Sequence, residues 1–306
     1  MRNAECGLQS CELCPRRCGV DRAAGQLGFC RAGSEVEVFR YGPHHGEEPP
    51  LSGTTGGSGT IFFSRCTLCC LYCQNYPWSQ QGDGATYAAD AFAALFRELH
   101  AAGCHNWNLV SPTPWIPQVQ QALTRLQAEG IRLPVVYNTS GFESPATLAA
   151  VEDTVDIYLT DLRYACETSA EAGSGRADYA SIARDTILEM WRQKGPLQLG
   201  TDGVATRGTI CRLLILPGRA DETIDNLRWL SDTIGPGVAI SVMSQYTPAF
   251  RAPAVAGWNR HISRAEYDRV ADVVGTLDFD IGWMQEYAGD APDELIGFTM
   301  PPGSGI

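Results

Sequence analysis

Ile61-Phe62-Phe63-Ser64-Arg65-Cys66-Thr67-Leu68-Cys69-Cys70-Leu71-Tyr72-Cys73 is an apolar, strand-like run that empties directly into four cysteines, at the centre of a stretch reaching from Gly59 to Gly84. Taken as Cys66, Cys70 and Cys73, the spacing is C-x3-C-x2-C. Clustered thiolates in a soluble chain usually mean a metal, and iron–sulfur clusters are held by cysteine thiolates. Three protein thiolates on a [4Fe–4S] cube leave one iron without a protein ligand, where a small molecule can chelate and react. A second register, Cys66, Cys69 and Cys73 (C-x2-C-x3-C), is also available, and all four sulfurs together would make a closed structural zinc or iron–sulfur knot.

Downstream of the cysteines, short apolar runs alternate with amphipathic helical patterns. Strands are expected at residues 61–63, 107–110, 134–137, 155–160, 209–216 and 238–243. Helices are expected at 88–102, 116–129, 145–151, 179–193, 222–233 and 264–274. Six such βα units predict an α/β fold with a parallel sheet. Chemistry in parallel barrels sits at the C-terminal ends of the strands. Loops 165–178, 196–207 and 246–262 are long enough to act as lids, with Trp258, His261 and the tail 288–306 available to close the mouth.

Upstream lies a separate cysteine-rich unit, and residues 1–50 are set apart from a barrel at 51–285 and a tail at 286–306. Cys11, Cys14, Cys18 and Cys30 follow C-x2-C-x3-C-x11-C, a complete ligand set for tetrahedral zinc or a second, fully ligated cluster. So short a Gly- and Arg-rich segment needs metal for its stability. Cys6 has no evident partner. Residues 41–50, with His44, His45, Glu47 and Glu48, read as a turn-rich linker with a lid or packing role. Residues 54–59 are Gly-rich without the Lys-Ser/Thr of a phosphate loop, and are expected to let the backbone approach the cluster closely.

At 306 residues and 44% hydrophobic content, the chain can bury a large core. It has no run long enough to span a bilayer, and its first ten residues lack the apolar segment of a secretory signal. Twelve cysteines, nine of them before Gln74, then indicate metal or redox chemistry in a reducing, cytoplasmic setting. A net charge of −12 argues against nucleic acid or anionic membrane as a partner and reads first as solubility.

The strand ends supply candidates for chemistry. Ser111 and Thr113 sit in a Ser-Pro-Thr-Pro turn that also suits a Pro-capped helix start. Asn138 and Ser140 suit hydrogen bonds to a ribose or carboxylate, with helix capping as the competing role. Asp161 and Arg163 stand two apart and so share one strand face, where a clamped carboxylate or an ordinary ion pair are the alternatives. Arg212 is a candidate for an anionic group, Gln245 and Tyr246 for substrate contact, and Met243 for core packing.

Taken together these segments resemble the radical S-adenosylmethionine (SAM) superfamily, specifically its branch like the pyruvate formate-lyase activating enzyme, with an N-terminal Cys-Pro-Arg metal-binding unit. The resemblance is carried by Cys11-x2-Cys14-Pro15-Arg16-x-Cys18 with Gly28-Phe29-Cys30, by residues 46–50 (Gly-Glu-Glu-Pro-Pro) and by residues 57–63 (Gly-Ser-Gly-Thr-Ile-Phe-Phe). It continues through residues 73–76 (Cys-Gln-Asn-Tyr), residues 108–113, Tyr158-Leu-x-Asp161 and residues 243–246 (Met-Ser-Gln-Tyr). It implies a partial (β/α)6 TIM-like barrel, and a [4Fe–4S] cluster on Cys66, Cys70 and Cys73 with Tyr72 near the adenine, which favours the first register. It further implies reductive cleavage of SAM to a 5′-deoxyadenosyl radical that abstracts hydrogen from a small-molecule or peptide substrate. Tyr72, Gln74, Asn75, Ser111, Thr113, Asn138, Ser140, Asp161 and Arg212 are its implied cofactor-binding residues, and Asp161, Arg163 and Gln245 its implied catalytic ones. A flavodoxin- or ferredoxin-type electron donor goes with it. Glycyl-radical activation of a partner protein is the alternative within the family, and a two-centre electron-transfer or sensing protein the alternative outside it. Thr67, Cys69, Arg163 (where lysine is expected) and Leu213 (where histidine is expected) depart from the pattern.

Overall fold

The computed structural model describes residues 6–287 and 289. The strands, in chain order, are β1 Val36–His44, β2 Ser58–Phe63, β3 Ala85–Tyr87, β4 Trp107–Val110, β5 Val135–Thr139, β6 Ile157–Asp161, β7 Gln198–Leu199, β8 Ala205–Leu214, β9 Ala239–Met243 and β10 Gly282–Met284. The helices are α1 Cys6–Gln9, α2 Pro49–Ser52, α3 Tyr76–Ser79, α4 Ala89–Ala101, α5 Ile116–Ala128, α6 Pro145–Val151, α7 Glu167–Ser174, α8 Tyr179–Lys194, α9 Ala220–Thr233 and α10 Arg264–Val274.

Strands β2, β4, β5, β6, β8, β9 and β10 run parallel and lie side by side in chain order. Helices α4, α5, α6, α8, α9 and α10 complete the six expected βα units, and the fold is α/β with the open strand order of a partial (β/α)6 barrel. β10 adds a seventh parallel strand, and β1 and β3 extend the other flank antiparallel. Among the described residues no helix is long and apolar enough to cross a membrane.

Local chemistry explains the elements. β2 is buried at every position, as a central strand covered on both faces must be. On α4, Phe92, Leu95, Phe96 and Leu99 repeat at spacings of three and four and are all buried. α10 opens on a capping box, with Ser263 and Glu266 each closing on the other's backbone N–H.

The period-two alternation of the strands builds the site. Tyr137, Tyr158, Cys211, Leu213, Ile240 and Val242 point outward into the cores beneath the helices. Their sequence neighbours Val136, Ile157, Leu159, Ile210 and Ala239 point inward and form a separate apolar plug with Leu51. Further along the same inward rows, toward the C-terminal ends of the strands, the residues become Asn138, Asp161, Arg212 and Ser241. Leu213, where histidine was expected, is therefore a fully buried core residue on the opposite face from the site.

Several expectations are corrected. The stretch 41–50 is not all linker: β1 runs through it to His44, and Tyr41 pairs with Ile61 and His44 with Ser58. Residues 165–178 contain α7, ended by Gly175 in the left-handed region (φ 64°), and Leu71 N–H donates to the Gly173 carbonyl at 2.9 Å. This segment is thus a buttress packed on the cysteine loop and not a free lid. Residues 196–207 form the β7–β8 hairpin at the N-terminal end of β8, away from the site. The Gly-rich run serves a different close approach from the one expected. A Cβ on Gly56 would stand 1.8 Å from the Gly103 carbonyl oxygen, and one on Gly59 2.5 Å from that of Asn106. These glycines admit the neighbouring 103–106 turn at the start of β2, the far end from the cysteines. The tail at 288–306, apart from residue 289, lies outside the described residues.

Candidate active site at the cysteine loop

The loop after β2 is anchored from four directions. Arg16 of the N-terminal unit donates from Nε to the Thr67 carbonyl (2.7 Å) and from Nη2 to the Leu68 carbonyl (3.1 Å). Gln80 donates to the Cys70 carbonyl at 2.8 Å, Arg251 N–H to the Leu71 carbonyl at 3.0 Å, and Gly173 receives Leu71 N–H as above. Cys66 Sγ accepts from Leu68 N–H (3.4 Å), Cys70 Sγ from Arg163 Nη1 (3.4 Å), and Cys73 Sγ lies 3.2 Å from Ser79 Oγ. Burial pushes the Cys70 thiol up to about 12, with Arg163 opposing. Cys69, at φ 60°, donates its thiol to the Cys66 carbonyl and faces a surface hollow shared with Arg16, Phe29 and Leu71. Cys73, common to both registers, borders a cavity of about 450 Å³ at the strand ends, while of the two competing sulfurs Cys70 is buried against Arg163 and Cys69 faces the hollow.

Across that cavity stands an ion cluster. Asp161 Oδ2 accepts from Arg163 Nε (3.1 Å) and Nη2 (2.5 Å), and its Oδ1 from Arg212 Nε (2.9 Å). Arg212 Nη2 donates to Asn138 Oδ1 at 2.6 Å, and its Nη1 lies 3.8 Å from Glu47 Oε2. Burial works to raise the Asp161 carboxyl, but Arg212 and then Arg163 outweigh it and hold the group below its ordinary value. Glu47 goes the other way: burial first and Glu48 second push its carboxyl up to about 7, against the pull of Arg212. Buried charges must be paired in this manner to be tolerated.

Tyr72, Gln74, Asn75, Asn138, Asp161, Arg163, Arg212 and Gln245 all line the cavity. Gln74 Nε2 ties the cysteine loop to β9 through the Gln245 carbonyl (3.0 Å), and Gln245 Oε1 accepts from Gln285 beyond β10 (3.0 Å). Tyr72 is buried, stacked on Trp258 with ring centroids 5.2 Å apart, and its hydroxyl faces the Tyr164 hydroxyl and the Arg163 guanidinium. Met243, expected in the core, lines the cavity too.

Ser111, Thr113 and Ser140 are not brought to the cavity. Thr113 donates to buried Glu143 at 2.7 Å, and Tyr137 and Thr139 donate to the same carboxylate. Ser111 is left-handed (φ 59°), with its N–H on the Asn138 carbonyl, and the Ser140 carbonyl accepts from Tyr179. The residues that sequence reasoning underrated are Glu47 and Glu48. Both line the cavity from the inner side, and Glu48 Oε2 is buried without a partner. Adjacent acidic residues running into the Pro-Pro of a buried helix, α2, were the available signal.

The N-terminal unit is arranged differently. Cys11, Cys14, Cys18 and Cys30 line one enclosed space of about 10 Å³, with Arg16 and Arg22 in its wall. Arg22 is fully buried and bonds the Gly33 and Pro114 carbonyls, fixing the unit to the barrel. Among the described residues no group of His, Cys, Asp or Glu already stands in the arrangement of a formed metal site.

No protein-family model matches the chain. An uncharacterized protein of Methanocaldococcus jannaschii, MJ0674, is 25% identical over 283 residues, covering 90% of this chain and 77% of that protein. Among solved structures, Streptococcus suis SuiB bound to S-adenosylmethionine is similar at a TM-score of 0.49 and 13% identity, over 77% of this chain and 52% of SuiB. Methylornithine synthase (PylB) is similar at 0.46 and 15%, over 78% and 73%. The protein anSMEcpe with bound AdoMet and a peptide is similar at 0.48 and 7%, over 71% and 60%. The chain spans about half the length of the SuiB structures it matches.

Proposed function

We propose that the chain is a radical SAM enzyme acting on a small-molecule or peptide substrate. The observation that carries this reading is the junction of β2 with the cavity. Cys66, Cys70 and Cys73 follow the strand directly, Cys73 borders the cavity, and Asn138, Asp161 and Arg212 are locked together in its wall. Cys66, Cys70 and Cys73 would hold a [4Fe–4S] cluster with one iron free of protein. When bound, the reduced cluster supplies the electron that splits SAM and begins hydrogen abstraction from a substrate carbon.

The chemistry of the donor set supports that group: among the described residues the three sulfurs do not stand as a formed ligand set, but they share one anchored loop, and the Arg163 guanidinium beside Cys70 offsets thiolate charge. Arg212, held by Asp161 and Asn138 with Nη1 3.8 Å from Glu47 Oε2, lines the cavity, where a guanidinium suits a bound carboxylate. The Tyr72, Tyr246 and Trp258 rings back the cysteine loop and keep water from it. Gln245, tied to Gln285, orients substrate. The helix α7 and the Arg251 contact cover one side of the loop, which supports a small substrate entering the cavity over a partner protein's glycine docking on it. At the N-terminal unit, about 10 Å³ between four sulfurs has room for a single ion, which supports zinc over a second cube.

The test is anaerobic reconstitution with iron and sulfide, reduction, addition of SAM and chromatography for 5′-deoxyadenosine. Wild type and Cys69→Ala are expected to form it and Cys70→Ala to form none. The reverse pattern of the two variants would select the other register, and a wild-type protein with an intact cluster but no product would end the reading.

A further inference from the structure

The inner side of the cavity carries a charge arrangement that SAM cleavage does not use. Glu47 and Glu48 follow β1, and the following helix α2 plants Leu51 in the inward-facing apolar plug. This fixes the two carboxylates at the base of the cavity, below Asp161 and Arg212. Glu47 has a cation within reach, Arg212 Nη1 at 3.8 Å. Arg212 also acts through its charge on Glu48, which is 8% exposed and lines the cavity, yet Glu48 Oε2 has no hydrogen-bond donor. Asn108, on the inward row of β4 and fully buried, turns its side chain to Glu47 and opposes the rise of that carboxyl. Two guanidiniums face Asp161, Glu48 and a Glu47 whose carboxyl is raised to about 7, and both guanidiniums already serve Asp161. A buried carboxylate with an unanswered oxygen is costly unless a bound group brings N–H donors and positive charge.

We infer that the base of the cavity receives an alkylammonium group of the substrate, with Glu48 as its main acceptor and Glu47 beside it. The assignment rests on reading the cavity as the substrate chamber. It places the amine end of the substrate deep and leaves the reacting carbon nearer the cysteine loop. The substrate class is an aliphatic primary amine, whether a small molecule or a lysine-like side chain.

The probe is n-butylammonium chloride, with 1-butanol plus sodium chloride as the neutral match, titrated into the anaerobically reconstituted full-length protein with SAM present. Binding is read by saturation-transfer NMR and by the shift in melting temperature. Wild type is expected to bind butylammonium and not butanol. Glu48→Gln is expected to weaken binding about ten-fold or more, Glu47→Gln less, and the exposed control Glu129→Gln not at all. Glu48→Asp, which keeps the charge, is expected to recover part of the affinity, so a folding defect in Glu48→Gln does not decide the outcome. Equal binding of butanol, unchanged binding in Glu48→Gln, or displacement of butylammonium by SAM, which would give the subsite to the cofactor's own ammonium, would each overturn the assignment. Butylammonium binding without 5′-deoxyadenosine formation would instead sink the radical reading and leave the ammonium site standing.

Discussion

Cys11, Cys14, Cys18 and Cys30 surround a single space of about 10 Å³, whereas of the mid-chain trio only Cys73 borders a cavity of about 450 Å³. The first group is closed by its own segment and touches nothing that resembles a substrate chamber. The second is carried on a strand end, gripped by four other segments, and opens toward an array of buried charges. On the proposed reading the same residue type would serve two ends, one as a staple and one as a port, and the two differ in enclosure as well as in ligand spacing. Arg16 joins the two, since it belongs to the first unit and holds the backbone of the second.

The sharpest way to break this contrast is to remove the mid-chain sulfurs together. Cys66, Cys70 and Cys73 changed to alanine are expected to abolish 5′-deoxyadenosine formation while elemental analysis still finds about one zinc per chain. Residual iron near four per chain would make the N-terminal unit a second cluster and erase the distinction. The converse change, Cys14→Ser with Cys30→Ser, is expected to lose the zinc and expose residues 6–35 to limited proteolysis, because metal binding there is folding energy.

Next in size is Asp161→Asn, which leaves Arg163 and Arg212 buried without their shared carboxylate. A loss of about 3–5 kcal/mol in urea unfolding is expected, and a loss near zero would show that solvent reaches the cluster. Arg16→Ala tests the link between the two regions. It removes two charge-assisted bonds to loop carbonyls and is expected to cost about 1–3 kcal/mol, with faster amide exchange in the cysteine loop.

The smallest effect concerns pH. The Glu47 carboxyl is raised to about 7 in the folded chain from an ordinary value of 4.5, so the folded state binds that proton more tightly. Its contribution is present below 4.5 and is lost as pH rises toward 7. Melting curves of wild type against Glu47→Gln are expected to diverge over that window, wild type falling relative to the variant. Parallel curves would show that Arg212 already neutralises the group.

What the sequence disclosed follows physical lines. The bounds of α6 and α10 and of β4 were legible because apolar periodicity, Pro at the first turn and a capping box are local signals. The row from Asn138 through Asp161 to Arg212 was legible as separate strand ends, though not as one bonded cluster. β1 was hidden because Gly42 and Pro43 interrupt it, and α7 because its Ala, Ser and Glu residues carry little apolar pattern. Thr113 misled because a hydroxyl near a strand end says nothing of the buried Glu143 that claims it. Glu47 and Glu48 were underrated because only the packing of α2 against the inner plug brings them to the cavity.

Strand order has a bearing on how the molecule is assembled. Each parallel strand pairs with one made before it, so the sheet can grow from its first βα unit as the polypeptide emerges. The balance of charge inside it cannot grow in the same way, since Glu47 and Asp161 are translated well before the guanidinium of Arg212. Until β8 docks, Glu47 has a reason to stay in water, and the nascent sheet remains open along β6. A fragment stopped short of residue 212 is for that reason an unpromising minimal domain, whatever its helices and strands have already formed.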